Sequence, residues 1–101
     1  MEDIHKLFTD FKAEFPDVQE KNEELGQFIH TSGGPLDEKT RWLVKLAMSG
    51  ASAHHRAVAT HIHAARVAGA SEEEIKHTLL LLIPTCGFPA FMEAYGVYRE
   101  Q

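Results

Sequence analysis

Seven histidines and one cysteine carry most of the acid/base, nucleophilic and metal-binding potential of this 101-residue chain. Four of the histidines, His54, His55, His61 and His63, crowd one stretch. Read as a single helix, that stretch puts His61 about 20° from His54 around the axis, on a face shared with Ala57, Val58, Ala65 and Ala68. His55 and His63 point elsewhere, toward water or a neighbour. Alanines leave room for a ligand, and a neutral imidazole accepts or donates a proton near neutral pH. His61 is therefore the leading catalytic candidate and His54 the second. A plain structural role, as a satisfied polar group in a helical interface, competes for each of them.

Metal chelation by these histidines alone is geometrically poor. Residues seven apart are displaced by about 10 Å along a helix, whereas metal–nitrogen bonds are about 2 Å. His61 and His63 project about 160° apart on a helix. A metal would need ligands from another helix or subunit, such as His30, His77 or Cys86. No cofactor is expected and metal ligands stay unassigned. Cys86 lies in Pro84-Thr85-Cys86-Gly87-Phe88-Pro89, read as a link between two helices. A helix start can lower a thiol's pKa, which makes Cys86 a third catalytic candidate. The sequence favours the alternative, a small buried hydrophobe. Trp42 and the other regularly spaced aromatics read as core or interface.

The elements that must position these residues are helices. Ile4, Leu7, Phe8, Phe11 and Phe15 recur at helical spacing, and Pro16 stops that helix. A second helix is expected over Asp17 to His30. Thr31-Ser32-Gly33-Gly34-Pro35 is the clearest loop. It sets an N-terminal helical arm (1–34) apart from core helices (35–101) within one domain. Asp37 is a good N-cap for a helix running to about Ser49, with Leu43, Leu46 and Ala47 facing inward. A third segment spans Ser52 to Ala68 and ends at Gly69. Ser71 and Glu74 form a capping box. Pro84 is expected to end or kink the following helix near Ile83, and Pro89 to start the last. The fold class is all-α, with about five to six helices.

The formal net charge of −5 argues against a phosphate backbone as partner. One cysteine permits no intrachain disulfide, and a reducing cytoplasm is the expected compartment. The charged, amphipathic N-terminus lacks the features of a signal peptide. The apolar run from Leu79 to Pro84 is too short to span a bilayer. With Phe88 and Phe91 it reads as core or as a subunit contact.

Three segments carry a family resemblance. Leu36-Asp37-Glu38-Lys39-Thr40-Arg41 resembles the opening of the first core helix in carboxymuconolactone decarboxylase-like domains, which include the alkylhydroperoxidase D type. His61, followed by Ala64-Ala65-Arg66-Val67-Ala68-Gly69-Ala70-Ser71-Glu72-Glu73-Glu74-Ile75, resembles that domain's histidine-bearing stretch. Cys86-Gly87-Phe88-Pro89-Ala90 resembles its closing C-G-x-P-A segment. The resemblance implies an alkylhydroperoxidase D-like helical bundle and a homo-oligomer, a trimer or hexamer.

The departures from that pattern bear on function. The peroxidase branch has a C-x-x-C pair where this chain has His54 and Ala57, and a relay glutamate where it has Trp42. Of the relay residues only His61 remains. Thiolate chemistry needs the missing pair. The decarboxylase branch needs none, because a general acid can protonate the carbon left by loss of carbon dioxide. The expected function is a cofactor-free lyase using histidine acid/base chemistry on a small carboxylated molecule, with Arg41, Arg56 and Arg66 as cations to hold it. The alternatives are a peroxidase-like oxidoreductase working through Cys86 or a metal, and a non-enzymatic oligomer that binds a ligand or metal.

Overall fold

The computed structural model describes residues 3–101; Met1 and Glu2, which open the amphipathic N-terminal stretch, lie outside the described residues. The chain is helical: α1 (Ile4–Glu14), α2 (Pro16–Ser32), α3 (Glu38–Ala51), α4 (His55–Val67), α5 (Glu72–Leu80), α6 (Leu82–Cys86) and α7 (Phe88–Arg99). No strand occurs among the described residues. The chain divides into two compact units, one ending at Pro35 and one running from Leu36 to Gln101.

In the first unit, the Asp3 carboxylate caps α1 by accepting from the His5 amide at 2.9 Å. Phe15 leaves helical geometry and Pro16 opens α2, where its missing N–H is no loss. Neither helix has a buried residue. Leu7, Phe8, Phe15, Leu25, Phe28 and Ile29 all remain exposed.

The second unit is built on a core of Leu46, Val58, Ile62, Ala65, Ile75, Leu79, Leu82 and Ala94, each no more than 3% exposed. Burying each of the large aliphatic side chains stabilises the unit by roughly 1.5–3 kcal/mol before entropy is counted. Local signals set the helix ends. The Asp37 carboxylate accepts from the Thr40 amide at 2.8 Å to start α3. Ser71 and Glu74 close the capping box of α5, with bonds of 3.0 and 2.8 Å. Gly69 ends α4 with φ of +96°, a conformation that suits glycine. At Gly50 a Cβ would approach Leu82 Cδ1 to 2.8 Å, so α3 passes close to the buried Leu82.

α2 runs to Ser32, two residues into the expected loop, and two breaks between core helices also differ from the sequence expectation. The Leu79–Pro84 run breaks at Leu81, not at Ile83, and gives two helices, α5 and α6. A proline ring clashes with the carbonyl four residues earlier. For Pro84 that carbonyl belongs to Leu80, the last residue of α5, and Pro84 itself fits the first turn of α6.

The second difference lies between α3 and α4. Ala53 has φ of +57°, the non-glycine residue with positive φ among those described. The Ala53 amide donates to the Gly50 carbonyl at 3.2 Å and the His54 amide to the Ser49 carbonyl at 3.0 Å. That pair of bonds is a Schellman closure of α3. His54 is committed to it, so α4 starts at His55 and not at Ser52.

Candidate functional site

Trp42, Lys45 and Ser49 stand at i, i+3 and i+7 on α3, so they share one face of that helix. His61 of α4 packs onto that face. Its Nδ1 lies 2.7 Å from the Ser49 Oγ and 3.1 Å from the Lys45 carbonyl oxygen. Its ring centroid is 5.7 Å from that of Trp42, at 46°. The Lys45 ammonium stands 4.8 Å from the Trp42 ring centroid. Val58, Ile62 and Ala65 anchor α4 in the core and thereby hold His61 in register.

These contacts select a tautomer. Ser49 Oγ also lies 2.8 Å from the Lys45 carbonyl and donates to it. A carbonyl oxygen cannot donate, so a bare Nδ1 lone pair 3.1 Å away would face it with repulsion. The consistent arrangement has Nδ1–H donating to the Lys45 carbonyl and to the Ser49 hydroxyl oxygen. Nε2 then carries the lone pair. Among the described residues nothing hydrogen-bonds to Nε2, and it is not a buried unsatisfied atom.

Burial pushes the His61 pKa below the ordinary histidine value; the Lys45 carbonyl opposes the shift and the Lys45 charge adds to it. His61 is therefore neutral at neutral pH and, at Nε2, a proton acceptor. Lys45 is itself held below the usual lysine range, by burial first and by the Arg41 charge second. Arg41 is one turn earlier on α3, and its Nη1 donates to the Leu36 carbonyl at 2.7 Å.

The other sequence candidates are placed elsewhere. His54 is exposed and precedes α4, so the pairing of His54 with His61 on one helical face does not exist. His61 is half-buried, and His55 and His63 are exposed. His55 Nε2 lies 3.2 Å from a Glu93 carboxylate oxygen.

Cys86 is exposed, contrary to the buried hydrophobe favoured from sequence. It is the last residue of α6 and lies on a groove of about 230 Å³ lined by Ala47, Met48, Ala51 and Leu81. Of those α3 residues, Ala47 and Ala51 point roughly opposite to Trp42, Lys45 and Ser49, with Met48 to the side. Within one chain Cys86 and His61 thus sit on different sides of α3.

Of the three candidate arginines, Arg66 is committed. It grips Glu72 through Nε at 2.9 Å and Nη2 at 2.7 Å, and the Tyr98 hydroxyl donates to the same carboxylate at 2.8 Å. Arg56 is exposed and Arg41 is half-buried beside Lys45. His77 is exposed on α5 and His30 lies in α2. No three His, Cys, Asp or Glu side chains among the described residues converge as a metal site. No helix among the described residues is long and apolar enough to cross a membrane.

Sequence reasoning missed Lys45 and Ser49. Their spacing from Trp42 was visible, but only the packing of α4 shows that this face of α3 meets His61.

Comparison with known proteins agrees with the fold. The model of the carboxymuconolactone decarboxylase family matches residues 16–100. No curated protein matches the chain. A solved structure of a carboxymuconolactone decarboxylase family protein from Legionella pneumophila, in its apo form, is similar at 26% identity and a TM-score of 0.81, over 96% of this chain and 88% of that one.

Proposed function

The chain belongs to the carboxymuconolactone decarboxylase family, and from that premise we propose that it is a cofactor-free acid/base enzyme, a lyase, whose proton-transfer residue is His61. The observation that supports this most is the anchoring of His61 Nδ1 on Lys45 and Ser49, which leaves Nε2 to exchange a proton. The substrate class is a small carboxylated molecule, because the site's near charges, Lys45 and Arg41, are cationic.

In the decarboxylation that this reading implies, the bond from carbon to the carboxylate breaks and carbon dioxide leaves. The electron pair stays on carbon as an enolate-like anion. The proton on His61 Nε2 then forms the new C–H bond, and His61 regains a proton from water. His61 is neutral in the empty site. A bound carboxylate favours the imidazolium, so substrate binding itself would load the proton that the reaction consumes.

The test is turnover of small carboxylated lactones and unsaturated acids, followed by carbon dioxide release and by deuterium taken from solvent into the product. His61→Ala abolishes both, while His63→Ala leaves both intact. Activity surviving in His61→Ala would refute the assignment.

The same reading includes assembly as a homo-oligomer, a trimer or hexamer. Leu79 and Leu82 of the apolar run enter the core, but Met48, Leu80, Leu81, Phe88 and Met92 are exposed, at 47–58%. Such patches mark interfaces. A monomeric mass by light scattering at micromolar concentration would remove this part of the proposal.

A further inference from the structure

Residues 3–35 hold seven aspartates and glutamates against three lysines, a net of −4, whereas residues 36–101 hold seven charges of each sign. The first unit thus carries the acidity of the chain. Two of its three lysines are engaged locally: Lys6 pairs with Asp10 at 2.8 Å, and the Lys12 ammonium stands 4.8 Å from the Phe8 ring centroid. The same unit has apolar faces without a core. Leu25, Phe28 and Ile29 stand at i, i+3 and i+4 on α2, and Ile4, Leu7 and Phe8 repeat that spacing on α1. Eight large apolar side chains of α1, α2 and the Phe15 link are 40–64% exposed, and neither helix has a buried residue. A unit that ends at Pro35 is shorter than the about 40 residues below which a chain usually needs outside support.

We propose that α1 and α2 are an intermolecular arm, whose apolar faces are covered by the near-neutral surface of a second copy of this chain. This rests on the reading of the chain as a homo-oligomer and names the segment that joins the copies. The area supports it. Half-exposed side chains of this size each offer on the order of 80 Å², so the eight together offer roughly 650 Å², close to the about 800 Å² that each partner of a standard interface contributes. Charge chooses the occupant. An amphipathic helix pair with a net of −4 is repelled by the anionic lipid surface that basic amphipathic helices bind. Two arms face to face would set −4 against −4. The remainder of a second copy, at seven charges of each sign, opposes an acidic arm far less. It also offers apolar side chains of its own, Leu80, Leu81 and Phe88, at 49–56% exposure.

The test starts from light scattering of the full chain at micromolar concentration. Leu25→Asp combined with Phe28→Asp puts two charges on the apolar face of α2 and should lower the mass of the assembly by about twofold or more. Glu23→Gln, on the opposite face of α2, should leave that mass unchanged. Near-UV circular dichroism of Trp42, the single tryptophan and outside the arm, checks that residues 36–101 stay folded in the double variant. Hydrogen exchange on the unmodified protein needs no variant. On dilution from oligomer to single chain, the α2 amides should lose protection by about tenfold or more.

The outcomes separate the arm from the assembly. A monomeric mass for the unmodified protein removes both. An oligomer that survives the double substitution, or α2 protection that stays constant on dilution, overturns the arm and spares the assembly. An assembly that forms only at high salt means arm against arm, and overturns the choice of the near-neutral surface as its partner.

Discussion

The imidazole Nδ1 of His61 lies 3.1 Å from the backbone carbonyl of Lys45, on the neighbouring helix. A main-chain carbonyl cannot rotate away or change protonation, so this contact fixes which ring nitrogen carries the proton more firmly than a side-chain partner would. The Ser49 hydroxyl, 2.7 Å from the same nitrogen, closes the arrangement.

Ser49 is 6% exposed and its hydroxyl serves both the Lys45 carbonyl and His61. Ser49→Ala removes one acceptor from Nδ1–H but leaves the carbonyl in place. The expected loss is about 0.5–1.5 kcal/mol of stability, the usual net worth of one such bond. Urea unfolding of the purified variant measures it. No loss at all would mean that the hydroxyl does not hold the ring.

Ala53 occupies the left-handed region at φ of +57°, where a Cβ is unfavourable. Ala53→Gly should raise stability by a few tenths to about 1 kcal/mol, because relief of roughly 1–2 kcal/mol of strain exceeds the added entropy of an unfolded glycine. Gly69 at +96° gives the opposite case: Gly69→Ala should destabilise. Thermal unfolding of both variants checks the pair, and a fall in melting temperature for Ala53→Gly would contradict the account.

Much of the fold was legible because its signals are local. The Asp37 cap, the Ser71–Glu74 box, the Gly69 stop, the Pro16 stop and the Pro89 start each depend on residues within one turn, and all are present. The break at Leu81 was misplaced because Pro84 acts on the carbonyl of Leu80, four residues back, as well as on its immediate neighbour. The start of α4 was misplaced because an alanine at positive φ has no sequence signature. That error carried His54 onto a face where it does not lie.

His61 was identified from its small-residue face, but Lys45 and Ser49 meet it only through the packing of α4 on α3, which no spacing within one helix records. Cys86 was read as a small buried hydrophobe because free cysteines usually are. At the end of the five-residue α6 it is exposed instead.

Glu72 is held down to about 2, first by its bonds to Arg66, then by the Tyr98 hydroxyl. A carboxyl with a lowered folded pKa stabilises the protein fully above its unfolded value, about 4.5, and that contribution is lost as the pH falls through about 2. Glu72→Gln should therefore lower stability at pH 7 and flatten the loss of stability between pH 5 and 2. An acid-unfolding curve that is unchanged in Glu72→Gln would show that this cluster does not couple to folding.

Cys86 is exposed, lies across α3 from His61 and has no second cysteine in the chain. Cys86→Ser should leave helicity, melting temperature and any turnover of carboxylated substrates unchanged, and neither form should consume peroxide rapidly with a dithiol reductant. Peroxide reduction present before the substitution and absent after it would reassign the chemistry to the thiol.

The most direct test of the central claim is a nitrogen-15 NMR titration of His61, assigned by its absence in His61→Ala. The account predicts the Nδ1–H tautomer in the neutral form and a pKa below 6.5, because burial and the Lys45 charge outweigh the Lys45 carbonyl. It follows that the stability contributed by neutral His61 is complete above 6.5 and declines as the pH falls from there through the folded pKa. Lys45→Gln removes the charge but keeps the carbonyl, so it should raise the His61 pKa without changing the tautomer. An Nε2–H tautomer, or a pKa at or above the ordinary histidine value in the unmodified protein, would contradict the account.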